Sequence, residues 1–314
     1  MKCICWITAL LITVHTFAQK TESFYDWQWK PCEAVKARFY STLEKTDSGW
    51  LRYDYFLGSK KTQMKALFED QDCKIFNGTS VYFHANGQVK AIGRQIHNKR
   101  EGVCLSFHSN GMMSDSASYH NDIPEGIDMS WWPNGTLKDS TVHVNDSMDV
   151  KVGWFDSGVP SEAGYLLRGK MHGKWQFFHN NGQLSALENY DHGKLVTKQF
   201  FKEDGTPQPD TSKDVKSAVF KGGGEGWVNW LARKLVWPTG YQFSNGDMAV
   251  TVVDIVINED GKMGSVEVST PFHPVFDKLA LNVIRQSPVW TPAVHHNRRV
   301  KSFFRQPVVF REEE

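Results

Sequence analysis

Gly173-Lys174-Trp175-Gln176-Phe177-Phe178-His179-Asn180-Asn181-Gly182-Gln183-Leu184 runs an aromatic strand into an Asn-Gly turn and out again. Asn-Gly is a strong hairpin signal, because both central residues of a type I′ turn need positive φ. Glycine adopts that freely and asparagine tolerates it. The pattern recurs on either side. Turn glycines stand at Gly87, Gly111, Gly135, Gly158, Gly182 and Gly205, at intervals of 23 or 24 residues. Asn86, Asn110, Asn134, Asn181 and Asp204 precede five of them. Phe83, Phe107, Trp131-Trp132, Trp154-Phe155 and Phe200-Phe201 hold the place of Phe177-Phe178. A single hairpin is marginal in water, whereas stacked hairpins bury their aromatic faces on one another. The spacing predicts an elongated antiparallel sheet of stacked hairpin repeats over residues 77–208, degenerate between Val150 and Gly169.

With Tyr190 and Gly193 behind it, the quoted stretch resembles the MORN-repeat variant of bacterial envelope proteins. That resemblance implies a scaffold that presents a surface. It does not identify what binds there.

Downstream, Thr206 to Lys213 is polar with two prolines, and residues 209–221 read as a linker. Residues 222–314 then read as a small α-β-β-α-β domain, making the chain β-rich and α+β. Trp227, Trp230, Leu231 and Leu235 mark one helix face, and Phe276, Leu279, Ala280, Val283 and Ile284 another, opened by Pro274. Ala249 to Ile257 is a β-branched run suited to a central strand. Val300 to Phe310 alternates, and Pro307 within it places the strand at a sheet edge, since proline cannot donate to a ladder.

Leu235-Val-Trp237-Pro238, Asp260-Gly261, Pro274-Val-Phe276-Asp277-Lys-Leu279-Ala280, Ser287-Pro288-Val-Trp290-Thr-Pro292-Ala293 and Pro307-Val-Val-Phe310 resemble the C-terminal domain of TonB. Asn297 departs from it, where a glycine is common. The resemblance implies a protein partner, an extended segment of an outer-membrane TonB-dependent receptor added to an edge strand. By position that edge is Val300, Lys301, Ser302, Phe303, Phe304 and Arg305. The alternative is that the strand only completes its sheet, with the domain serving as a packing module or a homodimer contact.

The first eighteen residues read as a cleaved export signal. Lys2 is followed by an apolar run and then Thr16-Phe17-Ala18, which implies a periplasmic or envelope location. Residues 19–76 read as a cap on the repeats, with Tyr25 to Leu43 weakly helical and strands near Tyr53–Phe56 and Gln63–Phe68. An oxidising compartment permits a Cys32–Cys73 disulfide; small buried hydrophobes are the alternative.

With 36 Lys+Arg against 35 Asp+Glu, nothing favours nucleic acid. No catalytic, cofactor or metal motif emerges. His84, His108 and His179 repeat in step, but equivalent residues of neighbouring hairpins lie about 9.5 Å apart, too far to share one ion. Gly222-Gly223-Gly224 lacks the ending of a phosphate loop and reads as a helix start. His295-His296 with Arg298-Arg299 reads as a solvated basic turn.

Overall fold

The computed structural model describes residues 21–145, 147–209, 215–242 and 249–311. The export-signal reading falls outside them. No helix among the described residues is long and apolar enough to cross a membrane.

A 17-stranded antiparallel sheet takes up the chain from Thr21–Tyr25 to Pro207–Gln208, built from successive hairpins. It begins upstream of the repeats. Phe39–Thr46, Gly49–Phe56 and Thr62–Phe68 pair in order and hand on to Phe76–Phe83. The helical reading of Tyr25 to Leu43 is therefore corrected. Only Ala34–Lys36 forms a 3-10 turn, and Phe39 to Leu43 lie in a strand paired on one side with Thr21–Tyr25 and on the other with Gly49–Phe56.

The two edges of the sheet carry different turns. At the repeat glycines φ is positive, from Gly205 at 83° to Gly87 at 93°, while the preceding asparagines are not in the left-handed region. The Gly87 N–H bonds to the His84 carbonyl at 2.8 Å, and the register shifts between Tyr82 and Phe83. This is a type I turn closed by a left-handed glycine and a bulge, not the expected type I′ turn. The two-residue turns with both φ positive lie on the opposite edge, at His97-Asn98, Asn121-Asp122, Arg168-Gly169 and His192-Gly193.

Each repeat is tied to the next through its turn. The amides of Asn86, Asn110, Asn134 and Asn181 donate to the carbonyls of Ser109, Pro133, Asp156 and Glu203, at 2.7 to 2.9 Å. Nε2 of His84, His108 and His179 meets the carbonyls of Phe107, Trp131 and Phe201 at 2.8 to 2.9 Å, so this nitrogen carries the proton. Trp132 makes the same bond to Trp154 with its indole N–H. The degenerate unit keeps a substitute, the Ser157 hydroxyl on Asn180.

The C-terminal domain packs α1 (Gly223–Lys234) and α2 (Pro274–Arg285) on a three-stranded sheet. Ala249–Ile257 is central, flanked by Met263–Thr270 and Ser302–Phe310. Phe276, Ala280, Ile284, Val253, Ile255 and Val308 fill its core. Pro274 opens α2, and the Asp277 carboxylate takes the Phe272 N–H and the Thr251 hydroxyl, which fixes the helix start on the central strand.

The strand expected from Val300 to Phe310 is two elements. Arg298–Val300 pairs with Ala293–His295 in a separate hairpin, the chain breaks at Lys301, and Ser302–Phe310 joins the larger sheet. Of the stretch read as a linker, residues 210–214 lie outside the description. Lys216 and Val219 bridge to Val294 and Thr291.

Candidate functional site

The hairpin Ala293–Val300 seats the C-terminal domain on the repeat sheet. His296 and Asn297 form its tip with φ 52° and 59°. The His296 ring stacks on Phe177 at 3.6 Å and 2°. Its Nδ1 meets Glu188 at 2.9 Å, and its carbonyl accepts from Ser185 at 3.0 Å. The Asn297 amide donates to the Phe201 carbonyl at 2.8 Å and accepts from Gln208 at 3.1 Å. Asparagine at the glycine position of the family pattern thus tolerates the left-handed turn and also supplies three contacts, the third a longer bond to the Ser185 carbonyl.

Arg298 is 8% exposed. Its guanidinium donates to the carbonyls of Ser161 and Phe178, reaches Glu162 at 3.2 Å, and lies over the rings of Phe155 and Phe177. Burial pulls its pKa down, while Glu162 works against that. The solvated reading of this basic turn is overturned for Arg298 and His296, whose partners come from strands more than a hundred residues upstream, while Arg299 is exposed.

Burial pushes the Glu188 carboxyl up, but hydrogen bonds from His296 and Tyr190 more than offset this and hold it below its ordinary value. The far side of the domain also touches the sheet, where Arg38 lies 4.4 Å over the Phe272 ring. The C-terminal domain therefore meets both early and late strands of the long sheet.

Two hollows flank Ser302–Phe310. A larger one, about 810 Å³, separates the outer face of the C-terminal sheet from the row of repeat turns. Phe107, Trp131 and Trp132 line it from the array, and Asp254, Phe303 and Arg305 from the domain. A second, about 450 Å³, lies on the helix side of the same strand against Phe220, Trp227 and Trp290. Phe303 borders both and is 67% exposed. Among the described residues no strand pairs with the outer edge of Ser302–Phe310, its one sheet partner being the central strand.

The six residues expected at the docking edge are thus divided. Val300 pairs with Ala293. Lys301 binds Asp156 and lies 4.9 Å over Trp132 of the repeats. Ser302, Phe303, Phe304 and Arg305 remain on the edge strand, with Arg305 paired to Asp254 at 2.6 Å. Phe304 turns inward against Trp290.

The array wall of the larger hollow was missed from the sequence. The in-step aromatic residues are its signal, but their spacing alone points only to packing between repeats.

No disulfide joins Cys32 to Cys73. Cys32 leaves the first strand beside Phe24, while Cys73 is held in the loop after Thr62–Phe68, with two strands between them. The histidine ladder does not converge, its Nε2 protons being committed to carbonyls. Donor atoms of His172, Asp191 and His192 do gather within 4.8 Å at a return turn, a spacing that could hold an ion, and His192 already pairs with Asp191 there.

A comparison with curated proteins finds no match to this chain. Family models do match. Residues 171–192 fit the MORN repeat variant, a unit that includes Trp175, Phe177 and the Gly182 turn. Residues 244–311 fit the Gram-negative bacterial TonB protein C-terminal domain, from the central strand through the docking hairpin to Ser302–Phe310. Both are non-enzymatic families that point to protein interaction in the bacterial envelope. The chain thus carries a MORN-variant repeat unit followed by a TonB-type C-terminal domain.

Proposed function

We propose that this protein is an exported, non-enzymatic envelope adaptor. Its C-terminal domain captures an extended segment of a partner, an outer-membrane TonB-dependent receptor being the leading candidate, by strand addition to Ser302–Phe310. The observation that carries this reading is the open backbone edge of that strand, flanked on both sides by unfilled space. Unpaired N–H and C=O groups are a template for another strand, and hollows beside them give specificity. The repeats hold the domain in place through Arg298, His296 and Lys301. The larger hollow gathers charged side chains from both regions, but Lys301 and Arg305 are neutralised by Asp156 and Asp254. Such pairs suit recognition better than acid–base chemistry.

Backbone hydrogen exchange of the full chain tests this, with and without receptor-derived peptides. Slower exchange confined to Ser302–Phe310 is expected; unchanged exchange there sinks the proposal. A second reading, a repeat scaffold whose C-terminal domain serves for packing or dimerisation, draws on the same docking hairpin. It expects slower exchange along that edge with rising protein concentration alone, together with a doubled mass in light scattering.

A further inference from the structure

We infer that the larger hollow takes a basic side chain, Arg or Lys, from the added peptide, while the helix-side hollow takes its apolar neighbour. The inference rests on the strand-addition reading and names the chemistry of the partner. Successive side chains of an added strand point to opposite faces. One therefore enters the space beside Phe303 and Arg305, and the next enters the space beside Trp227 and Trp290.

The two spaces differ in kind. Phe220, Trp227 and Trp290 make the helix-side wall aromatic and apolar. Across the strand, Phe107, Trp131 and Trp132 supply aromatic surface, and carboxylates come from both domains. Two of these acids are matched: Asp156 holds Lys301 and Asp254 holds Arg305. Asp115 and Glu267 have hydroxyl partners instead, Ser114 at 2.7 Å and Ser265 at 2.8 Å, and no ion pair among the described residues.

Lys138 and Lys301 already lie 5.4 and 4.9 Å from the Trp132 ring, which shows the aromatic wall is suited to cations. A further cation there meets both ring faces and unmatched carboxylate. An acidic side chain meets Asp115 and Glu267 as like charges, and Lys138, the lining cation without an ion pair among the described residues, is already drawn to the Trp132 ring. The array thus reads half of the partner's sequence, although the open edge belongs to the other domain.

The probe is the blocked peptide Val-Thr-Leu-Arg-Val-Thr, with versions carrying Gln or Glu for Arg and Ser for Leu. Affinity for the full chain is read by fluorescence anisotropy. The Arg peptide should bind roughly tenfold tighter than the Gln peptide, and the Glu peptide weakest. Asp115→Asn with Glu267→Gln, substitutions at solvent-contacting positions, should bring the Arg and Gln peptides within about threefold of each other. The Gln peptide's own affinity should not change.

If Arg and Gln peptides bind alike and both slow exchange along Ser302–Phe310, the inference falls and strand addition stands. A preference that survives both substitutions also overturns it. If no peptide binds and exchange is unchanged, both fall.

Discussion

His84, His108 and His179 each give a proton to the next repeat's backbone, and asparagines do the same one turn further out. A side chain that spends its donor on the neighbouring unit turns a marginal hairpin into part of a sheet, at roughly 1 kcal/mol for each bond. Glycine matters at fewer places than its frequency suggests. At Gly164 a Cβ would lie 2.3 Å from the Trp175 indole, which is fully buried and donates to the Tyr165 carbonyl at 2.9 Å. Gly164→Ala is expected to destabilise the array by about 1–3 kcal/mol through overpacking, measured as a lower urea midpoint with an unchanged slope. Gly169→Ala, with open space around its Cβ, should cost less, its strain being confined to the left-handed backbone.

At the scale of the element, paired strands bury titratable groups between them. His143 on Leu137–Asn145 lies 2.8 Å from Asp149 on one neighbour and 3.1 Å from Asp128 on the other. Burial pulls its pKa down, but the two aspartates leave it above the ordinary 6.5. The folded form therefore binds this proton more tightly than the unfolded chain. The contribution is complete below pH 6.5 and disappears as pH rises through the higher folded value. Glu188 behaves oppositely. Its depressed pKa stabilises above the unfolded value of 4.5 and is lost as pH falls through the folded one. Denaturant midpoints should drop as pH rises above the ordinary histidine value of 6.5, and His143→Asn should remove that drop. A slope that persists in the variant would assign the effect elsewhere. The turns belong to this scale as well. Asn-Gly announces a hairpin at four of the repeat turns and Asp-Gly at a fifth, yet the type I′ geometry sits at His97-Asn98 and Asn121-Asp122. Loop length, not the dipeptide alone, selects the turn.

Across the whole molecule, the docking hairpin couples the two regions. Arg298→Met removes a guanidinium bonded to two carbonyls and Glu162, and should weaken the seat by about 2–3 kcal/mol. Lys151, 3.4 Å from Glu162, remains to balance that carboxylate. Limited proteolysis should then cut faster between residues 209 and 221, and small-angle scattering should show a larger radius of gyration. An unchanged digestion pattern would mean that the Arg38–Phe272 contact and the remaining hairpin bonds suffice.

Local order in the chain was enough to predict the repeats, the central run Ala249–Ile257, both helices and the edge position of Ser302–Phe310. Each of these depends on residues a few places apart: a turn, an alternation, a 3.6-residue stripe, a proline without a donor. Nothing local revealed that Arg298 would be buried and His296 and Asn297 half-buried against the repeats, or that Val300 and Lys301 would leave the open edge. The hydrogen-bond partners of that turn in Phe201, Ser185, Phe178 and Ser161 lie 96 to 137 residues away. Contacts at such separations exist only once the sheet and the small domain are both formed. Packing between them therefore assigned the wall of the hollow, the seat of the hairpin and the length of edge left bare.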